Sequence, residues 1–491
     1  MEEGRIAKYF KNKSLLITGS TGFLGKILVE KILRVQPDVK RIYLPVRAAD
    51  AASAKQRVDT EVIGKELFGV LREKHGKGFQ SFVDEKIVAV AGDVVHDNFG
   101  VQGAQLAEMT QELNVIVNGA ATTNFYERYD VALDVNVMGV KHMCELAKKC
   151  PNLEVILHVS TAYVCGEREG LVAERAFRDG ETLREGTRVD VEAELRLAGD
   201  ARKQLAGDDN ERKAMKELGL ARAREFGWPN TYVFTKALGE MALGRLVGGG
   251  VPAVIVRPSI ITSVLNDPLP GWIEGTRTID AILIGYAKQS LPCFLADLDL
   301  TMDVIPGDMV VNAMMAAAAA AHAAAPPSSP APATVYHATS SLRNPAAYAV
   351  LYRTGLGYFE AHPRVGKDGR PVRTRKVRFF ATVAAFRLYM VLTYRLPLEL
   401  LHLLNLLCCG LLAALCRDLT RRYNFVMHLV DLYGPFALFK GCFEDVNMEK
   451  LRMAMAAEDR VTFNLDPKTI DWDDYFSNVH IPGVMKYVLN N

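Results

Sequence analysis

The sequence predicts an α/β fold: a doubly wound parallel sheet with helices on both faces, joined to a smaller and mainly helical C-terminal domain. Three observations carry this prediction. The apolar run Leu15-Leu16-Ile17 breaks into three glycines, Gly19, Gly22 and Gly25, and Lys26–Leu33 follows at helical period. Short apolar runs then alternate five times with helix-prone stretches, the pattern of parallel strands linked by crossover helices. Small and polar residues gather where those runs end, and ligands of such sheets sit beyond the carboxyl ends of the strands. At 491 residues the chain exceeds one ordinary core, so two or three domains are expected.

A strand, a glycine-rich turn and a helix start together form an anion site. The unpaired N–H groups of the first helical turn and the positive end of the macrodipole face a phosphate. The run Thr18-Gly19-Ser20-Thr21-Gly22-Phe23-Leu24-Gly25 has the spacing G-x-x-G-x-x-G rather than G-x-G-x-x-G. It points to a variant of the Rossmann-type dinucleotide fold, with these eight residues against the cofactor; a plain glycine turn is the alternative.

Arg41–Arg47 reads as the second strand. An enzyme using NAD is expected to carry Asp or Glu about twenty residues past the glycines, on the ribose 2′-hydroxyl. Arg47 stands in the comparable place, and a guanidinium suits a 2′-phosphate, so NADPH is the expected cofactor. A solvated surface arginine is the competing reading. The polar stretch Ala51–Phe82 is helix-prone, and the strand Lys86–Ala91 runs into Gly92-Asp93, whose carboxylate could reach the adenine. The fourth strand, Val115–Asn118, opens into Gly119-Ala120-Ala121, small enough for a cofactor to lie on the backbone; Asn118 and Ala120 join the cofactor set. A helix from about Val131 to Cys150 carries Asn136, and Val155–Val159 ends in Ser160-Thr161.

About 184–226 the chain is dense in charge and poor in β-branched residues, as expected of a solvated helical insertion. A helix after Pro229 then carries Tyr232 and Lys236, four apart and therefore on one face. Ala253–Arg257 is the last expected strand, closed by Pro258 and Ser259 beside the nicotinamide. The catalytic domain is expected over 1–315 and a low-complexity Ala/Pro loop over 316–333. A connecting segment, 334–394, carries the basic run Arg364–Arg378, and 395–491 forms the C-terminal domain. The apolar segments Phe379–Tyr394 and Leu398–Cys416 are divided by Arg395 and Pro397. They are either a membrane-seated hairpin or interfacial helix, or a buried helix of the substrate domain.

Thr161, Tyr232 and Lys236 suit hydride transfer. A carbonyl reduced at carbon needs a proton on its oxygen, and tyrosine can donate it, although its reference pKa is about 10. A nearby ammonium favours the phenolate, and the Thr161 hydroxyl can hydrogen-bond the developing oxyanion. Tyr232 and Lys236 also belong to the cofactor set, and Asn136 could support Lys236 through water. Cys165 allows a rival mechanism, a thiolate that takes the acyl group from a thioester; the other reading is a small buried residue at a strand end.

Basic and acidic residues nearly cancel, at 59 against 57, so no nucleic-acid partner is expected. Eight cysteines without C-x-x-C predict reduced thiols, and no histidines show metal-ligand spacing, so no metal is expected. The chain reaches its first strand by Leu15, which leaves no apparent signal or transit peptide.

These residues also carry a resemblance. The chain is similar to the alcohol-forming fatty acyl-CoA reductases of plants, a branch of the extended short-chain dehydrogenases/reductases. The likeness runs through Thr18–Gly25, Val29–Arg34, Ala120–Phe125, Glu127–Asp130, His158–Gly166, Tyr232–Lys236, Arg257–Ile261, Pro270–Trp272 and the tail after Arg395. It implies reduction of long-chain acyl-CoA to a primary alcohol with two NADPH, for wax, cutin, suberin or pollen-wall lipids. With the apolar pair, it implies a place on the cytosolic face of the endoplasmic reticulum, in contact with the membrane through about 364–416. Rival readings are a reductase that stops at aldehyde, a reductase or epimerase of a polar nucleotide sugar, and a membrane-attached NADP-binding interaction protein.

Overall fold

The computed structural model describes residues 4–247, 251–276, 278–323, 333–363, 365, 369–371 and 374–489. At its centre lies a seven-stranded parallel sheet: β1 (Ser14–Thr18), β2 (Arg41–Val46), β3 (Ile87–Ala91), β4 (Leu113–Asn118), β5 (Val155–Val159), β6 (Ala253–Pro258) and β7 (Thr334–Ala338). The spatial order is β7-β6-β5-β4-β1-β2-β3, with every pairing parallel. Leu15, Leu16, Ile42, Leu44, Val115, Ile116, Ile255 and Val256 are fully buried, as strands covered by helices on both faces require. Strand order reverses between β1 and β4, and a crevice opens at their carboxyl ends.

The structure corrects several boundaries. The sheet does not end at Ala253–Arg257: β7 pairs with β6 from Thr334↔Val254 to Ala338↔Pro258. The 315/316 boundary falls inside helix Gly307–Ala323, whose Ala316, Ala317 and Ala318 are buried. Alanine is the strongest helix former, and its small side chain lets a helix lie close on a sheet, so repetition here does not mean loop. Residues 324–332 of the Ala/Pro run lie outside the described residues. The helix expected over Val131–Cys150 is Tyr129–Leu133 and Gly139–Ala147, joined by a wide turn, Asp134–Met138.

The charged insertion forms two helices, Val191–Leu205 and Glu211–Glu225, and is docked rather than merely solvated. Buried Glu194 accepts from Tyr129 Oη at 2.7 Å and from Arg222 Nε at 2.9 Å. Trp228, just beyond, donates its indole N–H to the Val164 carbonyl at 2.7 Å.

Most of the two apolar segments lies in one helical run, Val383–Leu407, not divided at Arg395 and Pro397. A wide turn at Val391–Arg395 precedes Pro397, where a missing N–H is tolerated. The chain reverses through Cys409 and Gly410, both at positive φ, and returns as helix Ala413–Ala437. The leucines around the tip of this hairpin are not core: Leu400 is 61% exposed, Leu407 79% and Leu411 86%. Among the described residues Val383–Leu407 is the one helix long and apolar enough to cross a membrane, and 6% of its most apolar window is buried. Of the basic run before it, Arg370, Arg375, Lys376 and Arg378 are exposed, while Arg364, Lys367 and Arg373 lie outside the described residues.

The C-terminal region is mostly helical and tied to the sheet domain. Gly441–Phe443 pairs with Gly170–Val172, and Tyr475 Oη donates to Thr262 Oγ1 at 2.7 Å. Buried Glu174 accepts from the backbone N–H of His337 at 2.7 Å and from that of Asn447.

Candidate active site

A groove of about 890 Å³ opens at the carboxyl ends of the strands, over the β1/β4 crevice. Its walls include Gly19, Thr21, Gly22, Phe23, Leu24 and Gly25 of the glycine turn, with Arg47 and Asp93 at the ends of β2 and β3. Ala120, Thr161, Pro258 and Ser259 follow at the ends of β4, β5 and β6, and Tyr232 and Lys236 come from helix Thr231–Leu246. Three residues expected at the cofactor, Thr18, Ser20 and Asn118, do not line the groove. They are buried beneath its floor, where Thr18 Oγ1 donates to Asn118 Oδ1 at 2.9 Å.

The turn fits a pyrophosphate. Gly19 has φ +75°, and a Cβ there would stand 2.7 Å from Ala120 N; a Cβ on Gly25 would meet the Gly19 carbonyl oxygen at 2.4 Å. Only bare backbone brings the β1 and β4 loops this close. Gly22 caps helix Phe23–Val35, whose first residues, Phe23, Leu24 and Gly25, line the groove. The Ser160 hydroxyl on the wall and the Ser20 hydroxyl behind it are buried without a hydrogen-bond partner among the described residues.

Arg47 is exposed at the groove mouth and is joined there by Arg57, which sequence reasoning missed. Arg57 Nη1 donates to the Arg47 carbonyl at 2.6 Å, while Nε and Nη2 engage Glu61 at 2.7 and 2.8 Å. Arg57 ends helix Ala51–Arg57, started by the Asp50 cap accepting from Ser53 N. No spacing rule links a residue ten positions past Arg47 to the same mouth.

Asn230 caps helix Thr231–Leu246 by accepting from Val233 N at 3.1 Å, which sets the register that turns Tyr232 and Lys236 into the groove. Lys236 is buried, and its Nζ donates to the Val159 carbonyl at 2.7 Å. Burial pushes its pKa down to about 8, against the opposing pull of the Glu240 carboxylate. Thr161 caps the short helix Ala162–Cys165 and donates from Oγ1 to the Pro258 carbonyl at 3.4 Å.

The Tyr232 ring stacks on Phe125, with centroids 5.7 Å apart and planes at 14°. Phe125 in turn meets Tyr433 edge-on at 5.8 Å and Phe436 at 5.3 Å. The C-terminal helix Ala413–Ala437 therefore supplies aromatic wall beside Tyr232, a contribution that no motif announced.

Asn136 brackets the Thr122 backbone at 3.1 and 3.3 Å and donates to Thr235 Oγ1 at 3.0 Å, pinning the β4 loop to helix Thr231–Leu246. Cys165 is buried off the groove, and burial pushes its thiol up to about 12, which leaves no nucleophilic thiolate at neutral pH.

Two family models, both described as male sterility protein, match residues 17–314, as an NAD-binding domain, and 393–491. The chain is 44% identical to fatty acyl-CoA reductase 1 of Arabidopsis thaliana, covering 99% of each. It is also 44% identical to the alcohol-forming fatty acyl-CoA reductase of Simmondsia chinensis, covering all of both chains. Among solved structures, the reductase domain of a nonribosomal peptide synthetase from Mycobacterium tuberculosis matches with TM-score 0.58 at 16% identity, over 98% of this chain and 96% of that one. The terminal R domain of the myxalamid pathway matches with TM-score 0.55 at 17% identity, over 93% and 90%. These two likenesses concern the fold.

Proposed function

This chain belongs to the fatty acyl-CoA reductases, and from that premise we propose that it reduces long-chain acyl-CoA to primary alcohol with NADPH. The observation that carries the reading is the meeting of Thr161, Tyr232 and Lys236 on one groove with the glycine turn. The turn residues Thr21–Gly25 would hold the pyrophosphate, and Arg47 with Arg57 the 2′-phosphate. Asp93 would lie toward the adenine, with Pro258 and Ser259 toward the nicotinamide. NADPH, when bound, supplies the hydride.

The side chains supply the proton chemistry. Tyr232 gives its hydroxyl proton to the thioester oxygen as the carbonyl carbon is reduced, and Thr161 hydrogen-bonds that oxygen. The Tyr232 phenolate then takes the proton back from the hemithioacetal; the C=O bond reforms as the C–S bond breaks and CoA leaves. Tyr232, again protonated, serves the aldehyde in the same way. One tyrosine thus completes both reductions, because the middle step restores it. Lys236, one turn along the helix, keeps a positive charge near the oxygen that carries the negative one. The aromatic wall of Phe125, Tyr433 and Phe436 favours an apolar chain over a polar sugar. Each buried methylene is worth about 0.8 kcal/mol, so a long chain has the binding energy to stay while cofactor is exchanged.

Incubation of purified protein with NADPH and a series of acyl-CoAs tests this. Two NADPH should be consumed per CoA released, with alcohol as product and little aldehyde caught by an external trap. A ratio of one with accumulating aldehyde would make the protein an aldehyde-forming reductase.

Arg47→Asp should lower kcat/KM for NADPH by about 10²-fold, the scale of one lost charge-assisted contact plus repulsion, and change that for NADH by less than about threefold. Equal changes for both cofactors would remove Arg47 from the phosphate site.

We further propose that the exposed hairpin seats the protein on the cytosolic face of the endoplasmic reticulum, where its alcohols feed surface-lipid synthesis. The leucines supply insertion, and each nearby basic residue adds about 1 kcal/mol at an anionic surface. Full-length protein should float with vesicles containing anionic lipid. Replacing Leu400, Leu403, Leu407 and Leu411 with Ser should abolish flotation while the protein stays folded; undiminished flotation would exclude the hairpin as anchor.

A further inference from the structure

Thr18 and Asn118, buried beneath the groove, belong to a hydrogen-bond row that crosses the sheet and ends at Lys236. Thr18, Asn118 and His158 are register partners on β1, β4 and β5. The Ala120 N–H donates to Thr18 Oγ1 at 3.1 Å, and the Thr18 hydroxyl donates to Asn118 Oδ1 at 2.9 Å. Asn118 Nδ2 lies 3.1 Å from His158 Nδ1, and His158 Nε2 lies 3.5 Å from Lys236 Nζ. All four side chains are buried.

The row has a direction. Thr18 Oγ1 accepts from the Ala120 backbone N–H, and in the structure its own hydrogen goes to Asn118 Oδ1. The Asn118 amide nitrogen then faces His158, whose Nδ1 accepts. A neutral imidazole in that position carries its proton on Nε2, aimed at Lys236. Burial, with Lys236 and Arg257 nearby, holds the His158 pKa well below its ordinary value, so the ring is neutral. An ammonium has no lone pair to receive the Nε2–H, whereas a neutral amine has one.

We infer that His158 is a positioning residue, oriented by Asn118 and Thr18, whose Nε2–H faces Lys236 Nζ and disfavours its ammonium form. The other groups facing this pair act in known senses. The Val159 carbonyl accepts from Lys236 Nζ, and Tyr232 stands one turn before it on the same helix. Glu240, one turn after, favours the ammonium but is engaged by Arg257 Nε at 2.9 Å. With the pull of Glu240 shared in this way, His158 opposes the ammonium that the carboxylate favours.

The inference rests on the role proposed for Lys236, but its first test does not. In cofactor-free, full-length protein labelled with ¹⁵N-histidine, the resonances missing from His158→Gln identify His158. They should show a bare Nδ1 and a protonated Nε2 from about pH 6 to about pH 9. A protonated Nδ1, or an imidazolium within that range, would overturn the proposal. The second test is the pH profile of kcat/KM. His158→Leu removes the donor and should move the alkaline limb up by about one pH unit. His158→Gln, whose amide can accept from Asn118 and donate to Lys236, should keep the limb where it is. An unmoved limb in His158→Leu, or equal movement in both variants, would reduce His158 to packing. Absence of acyl-CoA reduction in the unmodified protein would count against the proposed function and leave the tautomer measurement to decide the row.

Discussion

Tyr232→Phe is expected to lower kcat on acyl-CoA by about 10²–10⁴-fold, the contribution typical of a positioned general acid. The Phe ring keeps the stacking on Phe125, so the groove wall stays in place and only the hydroxyl goes. NADPH affinity, read by fluorescence titration, should therefore change by less than about threefold, since the ring packing that survives carries most of this residue's contact. The same substitution should cost as much on a long-chain aldehyde as on the thioester, because one hydroxyl serves both reductions. An enzyme that loses thioester reduction and keeps aldehyde reduction would require a second proton donor. A near-normal rate on both would dismiss Tyr232 as the acid.

Lys236→Met should lower kcat/KM by about 10²–10³-fold, removing a charge from a water-poor site where electrostatic stabilisation is strong. Met matches the length of the buried lysine stem, so the loss is of charge and of the bond to Val159 rather than of volume. The pH profile separates these. Below about 8 the lysine is an ammonium, and above it the charge is lost, so kcat/KM should hold on the acid side of that value and fall beyond it. In Lys236→Arg, slower but permanently charged, the alkaline limb should leave the accessible range. A limb that stays near pH 8 in the arginine variant would belong to another group. Stability should move the opposite way to activity. Burial depresses this lysine from 10.5 to about 8, so between those values the unfolded chain holds a proton the folded chain lacks. The cost is complete below about 8 and shrinks as pH rises through that window. Lys236→Met should thus melt no lower than the parent at pH 7, which differential scanning calorimetry can check.

Much of the site could be read from residues close together in the chain. The glycine turn needs only a strand, three glycines and a helix start, all within Ser14–Val35. Tyr232 and Lys236 share a face because four residues make slightly more than one helical turn. Arg47, Asp93, Thr161 and Pro258 reach one groove because parallel strands all present their carboxyl ends on the same side. None of these inferences required knowing which distant segment packs where.

The remaining features depend on long-range packing. The seventh strand was hidden because a five-residue run after an Ala/Pro stretch is identified by its partner, β6, more than by its own pattern. Whether the leucines of Val383–Leu407 are core or surface is invisible in composition, since the same apolar run serves a buried helix and an exposed one; the lack of a covering element among the described residues decided for the surface. The wall beside Tyr232 joins Phe125 to Tyr433 and Phe436, more than 300 residues away. Thr18 and Asn118 stand where cofactor contacts were expected, yet the side-chain period of two fixes which face of a strand each residue presents. The register of β1, β4 and β5 turned them toward His158 and away from the groove. Local spacing determined the turn, the Tyr232–Lys236 pair and the parallel sheet, because those follow from backbone geometry over a few residues. Tertiary structure alone decided what lies above and beneath that pair, because a side chain's partners there are set by packing between segments whose separation in sequence leaves no period to read.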